Sequence, residues 1–175
     1  IDVTFSQPID AATFGTSDVG LFEVGALAGP VGETSLGLYN TSGNARGVHL
    51  VGNLAYVADG AAGLQILDIS DPAAVIRLGG YDTSDYASHV EVVGNRAYVV
   101  DRFSGVHILD VSDPTAVTRL GGYDTSDYAR DVEVVGNLAY VADDAAGLEI
   151  LNVSDPAAVI RLGGYDTSSH VRGVQ

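Results

Sequence analysis

The sequence predicts an all-β chain, a β-propeller of four-stranded blades on a 42-residue repeat, and three observations carry that prediction. Equivalent residues recur at one spacing: Tyr56, Tyr98 and Tyr140 lie 42 apart, as do Gly52, Gly94 and Gly136, Pro72, Pro114 and Pro156, and Tyr39, Tyr81, Tyr123 and Tyr165. Whole strings recur as well. GGYDTS begins at Gly79, Gly121 and Gly163, and SDPAAVIRLGGYDTS stands word for word from Ser70 and from Ser154. Each copy also holds four short β-type runs with no helical periodicity, and four strands in a unit of this length is the signature of a propeller blade.

The elements follow in order. The first run is Arg46 to Val51. Gly52-Asn53 then leads a two-residue type II′ turn, because glycine accepts positive φ without steric cost. The second run, LAYVAD from Leu54 to Asp59, is apolar on both faces, as a strand between stacked blades must be. A loop over 60–63 leads to the third run, Leu64 to Ile69. Ser70-Asp71-Pro72 is a turn, with proline presetting φ and Ser and Asp bonding nearby backbone. The fourth run is Val75 to Tyr81, with Gly79-Gly80 inside it as a bulge.

Residues 36–175 hold a little over three such units, set at 46–87, 88–129 and 130–171. Arg172 to Gln175 align with Arg46 to His49, the first strand of another blade. Propellers close with about 4–8 blades. The expectation is therefore an open portion of a larger propeller, with further blades in the same full-length chain. Residues 1–35 do not repeat cleanly. VTFSQPIDAATFGTSDVGL, at 3–21, resembles a stretch of bacterial surface Ig-like domains, while 20–39 also reads as a degenerate partial blade.

Composition narrows the function. The 175 residues carry 23 acidic and 8 basic side chains, a net charge of −15, with every basic residue an arginine. That charge repels phosphate backbones and anionic membrane surfaces, so neither nucleic acid nor a membrane is an expected partner. Membrane insertion is not expected either, since no apolar run approaches about 20 residues. Cys, Met and Trp are missing altogether. There is thus no disulfide framework, thiolate site or cysteine nucleophile.

AYVADGAAGLQILDISDP, at 55–72, with its copies at 97–114 and 139–156, resembles the repeat core of the LVIVD-repeat family of bacterial and archaeal proteins. The resemblance covers about 36–175. It implies a β-propeller on a secreted or cell-surface protein and carries no enzymatic activity with it.

Equivalent residues of successive blades converge on the propeller axis, so the start of the first strand is the leading candidate site. It holds Arg46, Ser88, Arg130 and Arg172, followed by Gly47, His89, Asp131 and Gly173. Arginines at a channel mouth suit an anion or carboxylate ligand. Arg46, His89, Arg130, Asp131 and Arg172 are accordingly the candidate ligand-binding set. The hairpin register offers these arginines a structural role instead. It sets Arg46 opposite Asp59 and Arg130 opposite Asp143, and cross-strand pairs contribute about 0.2–1 kcal/mol each. In the middle copy Ser88 faces Asp101, with Arg102 beside it as a substitute.

The acidic loops form a second set: Asp82 and Asp85 in YDTSDYA, Asp124 and Asp127 in its repeat. Dense carboxylates beside backbone carbonyls suit Ca2+, the candidate cofactor, although no EF-hand or glycine-rich nonapeptide spacing is present and such residues also build local turns. His49, His89, His107 and His170 fall at different repeat positions without zinc-ligand spacing. No G-x-S-x-G elbow or separate Ser, His and Asp set is present. The expected function is a non-enzymatic interaction or scaffold module of a secreted or cell-surface bacterial protein, presenting loops on a rigid propeller to a protein or glycan partner. The alternatives are a hydrolase or lyase with its active site in the axial pocket, and a calcium-stiffened stalk.

Overall fold

The computed structural model describes residues 39–175 except Ser84 and Ser168. The expectations for 1–35, an Ig-like end or a partial blade, lie outside the described residues. The described part is three four-stranded antiparallel meanders, each paired in chain order. The first holds β1 (Gly47–Val51), β2 (Leu54–Ala58), β3 (Leu64–Asp68) and β4 (Ile76–Tyr81). The second holds β5 (Ala87–Val93), β6 (Arg96–Asp101), β7 (Gly105–Asp110) and β8 (Thr118–Tyr123). The third holds β9 (Asp131–Val135), β10 (Leu138–Ala142), β11 (Leu148–Asn152) and β12 (Ile160–Tyr165), with a short 3₁₀ turn at Pro156–Ala158. Among the described residues no helix is long and apolar enough to cross a membrane.

The local rules hold strand by strand. Val51 pairs with Leu54 across the Gly52-Asn53 turn, and Gly52, Gly94 and Gly136 have φ of +57°, +61° and +62°. In the third turn of each blade, Asp71, Asp113 and Asp155 accept the N–H two residues on, in the Asx geometry that closes such turns. The bulge expected at Gly79-Gly80 lies one residue earlier: both glycines stay in the ladder opposite Ile66 and Gln65, Arg77 faces Leu67, and Leu78 is the extra residue. The same shift recurs in the other two blades.

Blades stack through these sheets. Tyr56, Ala58, Leu64 and Ile66 of the first blade pack on Val90, Val92, Val99 and Leu109 of the second. Tyr98, Val100, Val106 and Ile108 of the second pack in turn on Val132, Val134, Val141 and Leu151 of the third. Burying one such aliphatic side chain stabilises by about 1.5–3 kcal/mol. Alternation sends Val90 and Val92 into this core and His89 and Glu91 the other way. First strands lie side by side from blade to blade, β1 by β5 and β5 by β9, while β8 meets the next blade through its 3₁₀ turn. The sheets therefore fan about an axis lined by first strands.

A backbone clasp joins each blade to the next. Gly60 and Ala87 exchange both N–H···O bonds, Ala129 N–H donates to Arg102 O, and Val171 N–H donates to Asp144 O. Positions 60, 102 and 144 are equivalent in the repeat. One end of the propeller thus carries the second-to-third-strand loops together with the entry into every first strand.

Candidate functional site

Three groupings lie on or just beneath this loop end. One is a ring of aspartates at the ends of the second strands: Asp59, Asp101 and Asp143, each fully buried. Asp59 accepts the Thr41 hydroxyl at 2.6 Å and the Gly43 N–H at 2.9 Å. Asp101 accepts the Tyr86 N–H at 2.7 Å, and Thr83 helps stabilise its charged form. Asp143 accepts the Asp127 N–H at 3.0 Å, and the Thr125 hydroxyl donates to the Asp127 carbonyl at 3.2 Å. Each carboxylate ties down the loop that enters the first strand. Burial pushes the Asp101 and Asp143 carboxyls above the usual carboxylate range, and these hydrogen bonds oppose the shift.

Behind the ring lies a set that strand patterning did not single out. Gln65, His107 and Glu149 occupy one repeat position and are all buried. Each receives the guanidinium Nε of the matching fourth-strand arginine, Arg77, Arg119 or Arg161. His107 accepts from Arg119 through Nδ1 at 3.3 Å and turns Nε2 toward Asp101, 3.6 Å away. Burial lowers its pKa, so the ring is neutral near pH 7. Lining up the copies would have found the set, because Gln, His and Glu alternate there inside a strand buried on both faces.

The axial cavity, about 490 Å³, is lined by His89, Asp131, Val132, Glu133 and Gly173 to Gln175. Of the candidate ring, the structure brings together His89 and Asp131, Nδ1 to Oδ1 at 3.1 Å. His49, Glu91 and Glu133 stand opposite Tyr56, Tyr98 and Tyr140, as the hairpin register requires. Burial, then Glu133 and Asp131, push the Glu91 carboxyl up to about 7. Burial and His89 lower His49.

Glu91 gives a pH prediction. An unfolded chain sheds this proton near pH 4.5, whereas the folded chain keeps it to about pH 7. The stability this lends is fully present below pH 4.5 and lost as pH rises through 7. Glu91→Gln should therefore melt close to wild type at pH 4.5 and higher than wild type, by about 2–6 °C, at pH 8. Because His49 and His107 titrate in the opposite sense, the difference between the two proteins is the readout. Equal differences at both pH values would refute the assignment.

The cross-strand ion pairs proposed for Arg46 and Arg130 do not form. Arg46 Nε donates to the Tyr86 hydroxyl at 3.2 Å, while Asp59 is occupied by Thr41 and Gly43. Arg130 pairs with Asp144, not Asp143. In the middle blade Ala87, not Ser88, faces Asp101, and Ser88 is the bulged residue. The reason is common to all three. Each aspartate is drawn inward to cap a loop, so arginines at the strand start reach along the surface to a neighbouring loop. Asp144 also meets His170 Nδ1 at 2.9 Å, and Arg130, His170 and Arg172 help hold its carboxyl below the usual range.

Of the acidic loop residues, Asp85 Oδ2 accepts the Phe103 N–H at 3.0 Å and Asp127 Oδ2 accepts the Ala145 N–H at 3.2 Å. One oxygen of each thus braces the loop of its neighbour. Asp82 and Asp124 are exposed. Among the described residues no three His, Asp or Glu side chains converge in an arrangement fit for a metal ion.

The third grouping is on the surface. Arg46 and Arg102 both place their guanidinium carbon 5.0 Å from the Tyr86 ring centroid. Beside them Phe103, 61% exposed, packs edge-to-face on Tyr128 with ring centroids 4.6 Å apart. In the flanking copies Arg102 is matched by Gly60 and Asp144, and Phe103 by Ala61 and Ala145. The near-identical repeats diverge here, on one end of the propeller.

A search of the curated proteins found no match to the chain. Among solved structures the chain is similar to the computationally designed Ika4 protein, with TM-score 0.63, 8% identity, and 79% of this chain and 83% of that one covered. It is similar to the computationally designed Ika8 protein at TM-score 0.60 and 9% identity, covering 75% of this chain and 39% of that one. A structural genomics protein of unknown function from Bacteroides thetaiotaomicron VPI-5482 aligns at TM-score 0.56 and 15% identity, covering 73% of this chain and 33% of that one. At these identities the likeness speaks for the fold. The LVIVD repeat itself matches three times in tandem, over residues 42–83, 84–125 and 126–167. Those matches cover most of the sequence and fall on three blades whose registers repeat strand for strand, so the chain belongs to the LVIVD repeat family.

Proposed function

We propose that this propeller is an interaction module of a secreted or cell-surface protein, and that its loop end is the contact surface. As a repeat propeller it is a scaffold-type module. The observation that supports a docking role is the placement of its differences. Arg102 and Phe103 break the pattern of otherwise repeated loops, and they gather on one face with Tyr86 and Tyr128, equivalent residues of successive copies. Exposed Tyr, Phe and Arg are the residue types that dominate binding energy at protein interfaces. The backbone beneath them is fixed by the interblade clasp and the buried aspartates, so little ordering cost falls on binding.

The test is an array of extracellular proteins and glycans probed with the full chain and with a Phe103→Ala/Tyr128→Ala double variant. The expected result is a partner bound by wild type and bound at least about tenfold more weakly by the variant. A partner indifferent to both changes, or none on either array, would overturn the reading.

A further inference from the structure

Arg46 and Arg102 stand out on a chain of net charge −15. Half of its eight arginines, Arg46, Arg102, Arg130 and Arg172, lie at this one end. Among the described residues Arg130 is neutralised by Asp144, whereas no ion pair is formed by Arg46 or Arg102. Arg46 spends only its Nε, on the Tyr86 hydroxyl, which leaves its terminal nitrogens to point elsewhere. The Arg102 backbone is held on both sides, its N–H donating to Tyr86 O and its carbonyl accepting from Ala129 N–H. The next residue, Phe103, is held by Asp85. Two guanidiniums, fixed around one tyrosine ring and adjoining an exposed phenylalanine, thus form a preorganised patch.

We propose that this patch binds an acidic peptide segment of a partner protein, with carboxylates held by Arg46 and by Arg102 and a neighbouring apolar side chain seated on Phe103 and Tyr128. This rests on the loop-end reading above and names the chemistry of its partner. Charge complementarity argues for the carboxylate, since planar guanidinium donors match it in a two-point bond. The aromatic geometry argues for a peptide over a sugar. A sugar needs an open aromatic face, but guanidiniums lie over the Tyr86 ring and the Phe103–Tyr128 pair is edge-to-face, giving no flat platform. The site is single, because neither flanking blade repeats Arg102 or Phe103.

The experiment uses the full chain and a fluorescein-labelled peptide of alternating Glu and Phe, followed by fluorescence anisotropy. A matched peptide of Gln and Phe is the control. The acidic peptide should bind the wild type and lose about tenfold or more in affinity with Arg46→Gln/Arg102→Gln, with the Gln peptide, and on raising salt from about 0.05 to 0.5 M. Arg96→Gln, at the β5–β6 hairpin away from the patch, should change affinity by less than about twofold. The Gln peptide keeps the test decisive even if the double variant folds poorly. Equal binding of both peptides, or no binding of the acidic one, overturns the proposal. So does binding of polygalacturonate or heparin in its place, which would make the patch a glycan site. If the arrays reveal a partner that needs Phe103 and Tyr128 but ignores both arginines, the loop end remains the contact surface and only the acidic-peptide assignment falls.

Discussion

Adding one methyl group at Gly121 is expected to destabilise the fold by about 2–3 kcal/mol. The residue opens the string GGYDTS within β8. It has no positive φ, so backbone preference does not forbid a side chain there. The obstacle lies in the next blade. A Cβ on Gly121 would come within 2.6 Å of the Pro156 carbonyl carbon, and closer still to its oxygen. Backbone cannot rotate aside as a side chain can, so the third blade would have to back away from the second. Gly79 meets Pro114 in the same way. Thermal unfolding of Gly121→Ala reads this directly, with an expected loss of about 5–10 °C. A melting temperature equal to that of the wild type would mean that the Ser-Asp-Pro turns do not seat against the preceding blade. The strand itself would accept the methyl group; its neighbour would not.

That contrast also marks how much the sequence could reveal. Most of what is decided within one blade was legible, the bulges at Leu78 and Ser88 excepted. The Gly52-Asn53 turn set Val51 opposite Leu54, and from there the register to His49 and Tyr56 followed by counting. Two-sided apolarity of LAYVA announced stacked blades, and the interblade cores contain Tyr56 and Ala58 as that reading requires. The partners of charged residues were not legible, because they depend on how one blade is rotated against the next. Counting along a single sheet sent Arg46 to Asp59. In the folded chain Asp59 turns in to a threonine on its own approach loop, and Arg46 reaches Tyr86 on the approach to the following blade. The buried Gln65, His107 and Glu149 escaped for another reason. A strand pattern is read for what is apolar, and a polar residue within it becomes visible only when the copies are laid over one another.

Asp101→Ala is expected to be among the most damaging single changes, costing about 3–4 kcal/mol. Its carboxylate is fully buried and accepts the Tyr86 N–H at 2.7 Å. Truncation leaves that donor without an acceptor and without water, and a buried orphan costs about 1–3 kcal/mol, to which the void adds. It also strips His107 Nε2 of the charge 3.6 Å away. The raised carboxyl pKa does not weaken the case. Even an aspartate that is costly to ionise in the folded chain is less costly than a void that leaves a buried donor unpaired. Asp101→Asn keeps one acceptor oxygen and the volume, so it should retain at least half of the lost stability in urea unfolding. The effect should extend to the surface as well. The segment that Asp101 anchors carries Tyr86, and Tyr86 organises Arg46 and Arg102, so Asp101→Ala should weaken acidic-peptide binding under conditions where the chain is still folded. A cost below about 1 kcal/mol would mean that the loop is held by its clasp with the neighbouring blades, and that the aspartate ring is incidental to it.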